Sequence, residues 1–259
     1  APASPLSLAK AVGISSAAFA GFSTTLIGLG QNVNPQAYVW PVTSEYHPRP
    51  QKALPYQLGD GGNFENTGVV AAVQRGASRI VAMINQDVRL DPSANFCVAS
   101  PGMSLNGKVT SQLANLFGLL EEASSSEYHT QNAVFDPDEL LLLLCEFQRL
   151  RAKGQPLVAK RRLRVRANSW WGIPGGRHVE VVFSLLDASF GFTDELPQET
   201  QQALKSGPIG GLEHFPQFKT TFQNFPDLTR YTARQVNLLA ALTEWSVRQN
   251  AELFRDFLA

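Results

Sequence analysis

A glycine-rich turn between two strand-like segments constrains the fold of this chain more than any other feature. Residues 56–58 are typical of a short strand, and residues 59–62 read Gly-Asp-Gly-Gly, which lets the backbone turn sharply. Residues 69–75 fit one or two helical turns, and the apolar run 79–85 has the length of a central strand buried on both faces. Strand, glycine turn, helix and strand in this order predict an α/β sheet.

The composition leaves room for one large domain or two small ones. The chain has 259 residues, of which 44% are hydrophobic, so it can bury a substantial core. Its 22 Lys and Arg balance its 22 Asp and Glu, and without a basic excess we expect no nucleic-acid partner. The two cysteines, Cys97 and Cys145, lack metal-ligand spacing and are either free thiols or one bridge. We expect neither a metal nor another cofactor.

A stretch without charged residues, between Lys10 and Glu45, raises the question of a membrane span. Residues 11–30 are rich in Gly, Ala, Ser and Thr, whereas membrane insertion favours large apolar side chains. No basic region precedes this run, so it does not have the pattern of a signal peptide either. We expect a protein that is soluble or peripheral to a membrane, with no transmembrane helix.

The second half of the chain carries clear signals for helices and a hairpin. An Asp-Pro start, acids in the first turn and a final glycine predict a helix over residues 136–154. Residues 163–171 and 178–186 flank a glycine-rich turn and predict a β-hairpin. Thr232 and Gln235 form a capping box at the start of the last helix.

Basic residues alternate with apolar ones over residues 160–166, so one face of a strand there would be basic. Such a face could meet anionic lipid headgroups, but a solvated edge strand is the favoured interpretation because Lys and Arg protect sheet edges. Trp170 and Trp171 follow in the hairpin, and either a lipid interface or packing within the hairpin would account for them.

Asp60 is the strongest candidate for a catalytic residue. A carboxylate at the end of a strand and between glycines can be approached closely by a substrate or a nucleophile. The alternative is an ordinary Asp-Gly turn in which the side chain bonds its own backbone. The four histidines stand in no recognisable triad context, and we expect each to be a surface or hydrogen-bonded residue. They are His47, His129, His178 and His214.

Three segments, in order along the chain, resemble lysophospholipases and cytosolic phospholipases. Asp-Gly-Gly at 60–62, then Asn66 and the strand of residues 79–87, resemble the catalytic-aspartate segment of that family. Residues 13–19 resemble a Gly-Thr-Ser-Ser-Ser-Leu-Phe stretch of phospholipase B proteins. Residues 218–223 and the helix that follows resemble the C-terminal segment of cytosolic phospholipases.

The resemblance implies a three-layer α/β/α sheet of the patatin and cytosolic phospholipase type, and a Ser-Asp dyad that hydrolyses phospholipid or lysophospholipid esters. In such a dyad the serine attacks the ester carbonyl while Asp60 removes its proton. The same comparison assigns Gly61, Gly62 and Asn66 to substrate binding. Gly68 departs from the pattern because the family usually has Pro there.

The nucleophile is missing from the expected place. The family's serine lies in a Gly-Xaa-Ser-Gly elbow after a strand. Ser15 is the only candidate, but no glycine follows it, no apolar strand precedes it, and only 45 positions separate it from Asp60. We therefore read Ser15 as part of a structural motif. Residues 1–259 would be the C-terminal portion of one catalytic domain, completed by a separate N-terminal chain that carries the serine.

This interpretation predicts an obligate partner with a large apolar interface, because half of an α/β sheet exposes an unpaired strand edge. The second hypothesis is a non-catalytic lipid-binding or assembly subunit that kept the fold, and the missing nucleophile favours it. A patatin-like hydrolase, which shares the Asp-Gly-Gly element, is the third.

Overall fold

The computed structural model describes residues 7, 8, 12, 36–39, 54–57, 61, 64–85, 88–98, 103–119, 129–218 and 231–259. The chain divides into two units, residues 1–66 and residues 67–259. Within the described part of the chain, no helix is both long enough and apolar enough to span a membrane.

The first unit contains an antiparallel pair of short strands, β1 (Gln36–Val39) and β2 (Leu54–Gln57). Each strand has four residues, and Pro55 lies opposite Tyr38. Proline cannot donate a ladder hydrogen bond, which favours short pairing. The predicted strand before the glycine turn is confirmed, although it begins two residues earlier than expected.

The second unit is built on a three-stranded mixed sheet in the order β3-β5-β4, so the α/β class is confirmed. The strands are β3 (Arg79–Ile84), β4 (Leu157–Arg164) and β5 (His178–Leu185). Strands β3 and β5 run parallel, and β4 and β5 form an antiparallel hairpin. The sequence predicts this hairpin but places its first strand at residues 163–171, whereas β4 ends at Arg164. Within the described residues β4 pairs only with β5, as expected for a basic edge strand.

The position of β3 differs from the prediction. Within the described residues β3 pairs with β5 alone, and its burial alternates, with Ile80 buried and Met83 46% exposed. The expectation of a central strand buried on both faces is therefore wrong, and β5 holds the central place. An apolar run shows that a strand is buried, but not which neighbours it has.

Seven helices are found in the described part of the second unit. Three precede β4: α1 (Val69–Gln74), α2 (Ser111–Leu116) and α3 (Pro137–Ala152). Four follow β5: α4 (Phe190–Glu195), α5 (Gln198–Lys205), α6 (Ala233–Gln249) and α7 (Ala251–Leu258).

The predicted helix boundaries hold where the local signals were strong. Helix α3 begins at Pro137 after Asp136 and ends before Gly154, whose φ of 69° lies in the left-handed region that glycine tolerates. The capping box of Thr232 and Gln235 is present at the start of α6.

Helices cover both faces of the sheet. Side chains of all three strands pack on one face against α1, α2 and α3, which we call the inner face. On the opposite, outer face, Val158 and Val182 pack against two phenylalanines of α7, Phe254 and Phe257. A separate apolar cluster joins α4 to α6, with Phe192 in contact with Trp245.

A disulfide joins Cys97 to Cys145 of α3, which decides between the two alternatives left open by the sequence. The bridge ties the segment after β3 to α3, across 48 positions of sequence.

Trp171 of the segment between β4 and β5 packs against the core of the inner face, and its indole N–H donates to Asn132. Packing therefore accounts for Trp171, whereas Trp170 is 56% exposed.

Candidate functional site

The first candidate site is the glycine turn after β2. Asp60, Gly62 and the alternative nucleophile Ser15 lie outside the described residues. Gly61 and Asn66 are described, and both are exposed. The carbonyl oxygen of Gly61 accepts the N–H groups of the residues three and four positions later, at 2.9 and 3.0 Å. A helical turn therefore begins at Gly61, whereas most of the predicted turn at residues 59–62 lies outside the described residues.

The chain enters α1 through a left-handed residue. Gly68 has a φ of 72°, and the hydroxyl of Thr67 accepts the N–H of Val69 at 3.1 Å. Proline is held near a φ of −65° and could not take this conformation. Position 68 therefore has a backbone conformation that proline cannot adopt, whereas the family that the sequence resembles usually has proline there.

A second constellation, which sequence reasoning missed, surrounds Asp187 at the carboxyl end of β5. The Asp187 side chain is fully buried and forms ion pairs with Arg89, at 3.3 Å, and with Arg151 of α3. It also accepts the N–H groups of Leu90, at 3.1 Å, and Ala188, at 2.7 Å. A buried carboxylate needs such partners, because burial without them is strongly unfavourable.

Arg151 ties this cluster together. One of its Nη atoms donates to the carbonyl oxygen of Leu90 at 2.6 Å, and the other pairs with Asp187. Its Nε is buried and has no hydrogen-bond partner among the residues described. One arginine thus connects α3, the segment after β3 and the end of β5.

An open cavity of about 360 Å³ lies beside the cluster. Its lining comes from the segment after β3 and from the segment between α5 and α6, and includes Val88, Arg89, Asp91, His214, Phe215 and Gln217. In parallel sheets, ligands commonly bind outside the carboxyl ends of the strands, and both β3 and β5 end here.

The polar groups of the cavity are held in place. Asp91 Oδ1 accepts the hydroxyl of Ser93 at 2.7 Å and its N–H at 2.8 Å. These bonds, and the charge of Lys108, hold the pKa of the Asp91 carboxyl below its ordinary value. The Gln217 amide donates to the carbonyl of Leu186 at 3.0 Å.

The described histidines are surface residues, as predicted. His178 is exposed, and His214 is half exposed, with Nε2 3.5 Å from a carboxylate oxygen of Glu213. His214 has a φ of 64°, a backbone conformation that few residues other than glycine adopt. His47 lies outside the described residues, as does the side chain of His129.

One signal in the sequence could have pointed to the second site. Asp187 and Arg89 both stand a few residues after an apolar strand, and parallel neighbouring strands bring such positions to one edge. Within the described ranges, no group of three or more His, Cys, Asp or Glu side chains is arranged to hold a metal ion.

No protein-family model, curated protein or solved structure matches this chain. The resemblance of the glycine turn to phospholipases therefore stays an expectation from sequence. The chain therefore has two candidate sites: Asp60, which is predicted from the sequence and lies outside the described residues, and the cavity at Arg89 in the second unit.

Proposed function

We propose that this chain is the aspartate-bearing part of a serine acyl-ester hydrolase that acts on phospholipid or lysophospholipid. Asp60 is the general base, and a serine on a partner chain is the nucleophile. The observation that carries the proposal is the turn that begins at Gly61, soon after β2 ends at Gln57. Glycines on both sides of a carboxylate allow a hydroxyl to approach it closely.

The proposed chemistry needs no histidine. Asp60 removes the serine proton as the serine oxygen attacks the ester carbonyl, and the carbonyl oxygen becomes negatively charged. Oxyanion donors on the partner chain bind that oxygen, and Gly61, Gly62 and Asn66 contact the substrate. Asp60 returns its proton to the leaving alcohol, and it then takes a proton from the water that releases the acid from the serine ester.

Two features of the second unit support the proposal that its three strands belong to a larger sheet. Helices cover both faces of the three strands, as in a three-layer α/β/α sheet. No described strand pairs with the outer edge of β3. An N-terminal chain that carries the nucleophile elbow would continue the sheet at that edge and cover its unpaired backbone groups.

The test is Asp60→Asn in the native assembly, with hydrolysis of a lysophospholipid as the readout. Loss of a general base lowers the rate by about 10²–10⁴-fold. The matched control is Asp256→Asn, which changes an exposed carboxylate of α7 and should leave the rate unchanged. Full activity of the Asp60 variant would rule out the proposal.

Ser15→Ala tests where the nucleophile lies. We expect this variant to keep its activity, because Ser15 lacks the glycine that follows the serine of a nucleophile elbow. A fluorophosphonate probe should then label a serine on a copurifying chain. Labelling of Ser15 itself would instead make this chain a complete hydrolase.

A non-catalytic lipid-binding or assembly subunit is the second candidate. The left-handed Gly68 favours it, because the backbone at this point cannot follow a family pattern that has proline. The same fluorophosphonate experiment distinguishes the two candidates. If no chain of the assembly is labelled and no ester is hydrolysed, the subunit hypothesis is correct.

A further inference from the structure

The cluster at Asp187 carries an unbalanced positive charge. One buried carboxylate faces two guanidinium groups, those of Arg89 and Arg151. The side chain of Arg151 is 17% exposed and that of Arg89 is 52% exposed. The excess charge is therefore accessible to solvent at Arg89, on the side of the cavity.

Arg89 is held in a way that leaves its donors available. Its Nε contacts Asp187, and among the residues described its guanidinium has no second polar partner. A guanidinium that is fixed at Nε presents its two Nη groups as a planar fork, the geometry that binds phosphate oxygens in pairs. Because Asp187 is itself fixed by Arg151 and two backbone N–H groups, the fork is ordered before a ligand arrives.

Asp91 adds a negative charge to the same cavity. It does not form an ion pair with Arg89 although the two are only two positions apart, and both of its bonds to Ser93 go to one oxygen. The lowered pKa keeps this carboxylate ionised at neutral pH. The charge of Lys108 also acts on Asp91, but among the described residues no cation forms an ion pair with this carboxylate. A ligand that carries both a phosphate and a cation would therefore be attracted at both ends.

We propose that this cavity binds a phosphate ester of an amino alcohol, with the phosphate on Arg89 and the ammonium group on Asp91. His214, on the rim, supplies a further donor to the phosphate. The ester's ammonium and phosphate groups are joined by a short carbon chain, so one molecule can contact two charged side chains that form no ion pair with each other. The cavity of about 360 Å³ is within the range of small-molecule sites. A phosphate ester of an amino alcohol occurs both as a free compound and as the headgroup of a phospholipid.

The experiment is calorimetric titration of the 259-residue protein with O-phosphoethanolamine, inorganic phosphate and ethanolamine. We expect O-phosphoethanolamine to bind about tenfold or more tightly than either fragment, because two charged contacts are made together. A separate titration with glycerophosphoethanolamine distinguishes the two sources. Tighter binding of this diester identifies a lipid headgroup site, and tighter binding of the monoester identifies a site for the free compound.

Two variants distinguish the phosphate contact from the ammonium contact. Arg89→Gln should weaken both phosphoethanolamine and inorganic phosphate by about tenfold or more. Asp187 keeps its bond to Arg151 in this variant, so the fold should survive, as thermal unfolding will show. Asp91→Asn keeps an oxygen acceptor for Ser93, and should weaken phosphoethanolamine but not inorganic phosphate.

Arg162→Gln, which removes an exposed cation of β4, is the matched control and should change neither affinity. The proposal is overturned if the unaltered protein binds none of the probes at millimolar concentration. It is also overturned if the Asp91 variant binds phosphoethanolamine as well as the unaltered protein does. None of these titrations depends on Asp60, so failure of the hydrolase proposal would not affect this result, nor the reverse.

Discussion

The two faces of the three-stranded sheet are built by different means. On the inner face, the strands present apolar side chains to helices α1, α2 and α3, which come from well-separated parts of the chain. Arg161 is a charged residue on that side, and Glu139 of α3 binds it at 2.7 Å. On the outer face, the apolar contacts among the described residues are those of a few strand residues with α7.

Charged side chains lie at one end of the outer face. Glu180 of β5 lies between Arg79 of β3 and Arg162 of β4 in register, and Lys160 contacts its carboxylate at 2.9 Å. Lys160 also lies 5.4 Å from the ring centre of Phe257. The same strands thus support a core on one side and a half-covered, partly ionic surface on the other. The free energy of unfolding that is lost when a side chain is truncated depends on how its neighbours bury it, and not on the residue type alone.

Truncation on the inner face should have the largest effect. Phe183 is fully buried, and its ring centre lies 6.2 Å from that of Phe117. Phe183→Ala should lower the free energy of unfolding by about 3–5 kcal/mol, because several elements surround the site and cannot collapse into the cavity. Urea denaturation measures the change. A loss under about 1 kcal/mol would show that the inner face is not the core of this unit.

Val181 and Val182 offer the sharpest comparison of the two faces. They are adjacent in β5, both fully buried, and point to the inner and the outer face respectively. We expect Val181→Ala to cost about 2 kcal/mol and Val182→Ala about 1 kcal/mol, since a terminal helix can settle into the space left behind. Equal losses in urea denaturation would mean that α7 is held as firmly as α3. Hydrogen exchange of α7 should rise only in the Val182 variant.

The smallest effect is expected in the ionic part of the outer face. Arg162→Gln removes one exposed cation and should change the stability by no more than about 0.5 kcal/mol, because surface ion pairs are weak. Thermal unfolding at low and high salt measures it. A salt-dependent loss above 1 kcal/mol would show that these charges act as a network.

Local signals predicted local structure well. The Asp-Pro start of α3 and the capping box of α6 each depend on residues within a few positions of one another. The second strand of the hairpin lies where it was expected, whereas the first strand does not. The place of β3 in the sheet could not be predicted in the same way. It depends on pairing with β5, about a hundred positions further along the chain.

The two candidate sites differ in the same way: one depends on neighbouring residues and the other on residues that are far apart in sequence. Asp60 could be singled out because its glycines are its direct neighbours in sequence. The cluster of Arg89, Arg151 and Asp187 could not, because its ion pairs join positions 36 and 98 residues apart. In the sequence, nothing distinguishes any of these three residues from an ordinary charged residue.

The sequence by itself determined the α/β class and the ends of the best-capped helices, since short-range sterics and hydrogen bonding act between neighbours in the chain. Only the tertiary structure decided that Cys97 meets Cys145, that β5 is central, and that two arginines share one buried carboxylate. Those outcomes depend on which distant surfaces pack together. Burial then makes a carboxylate require partners that its sequence neighbours do not provide.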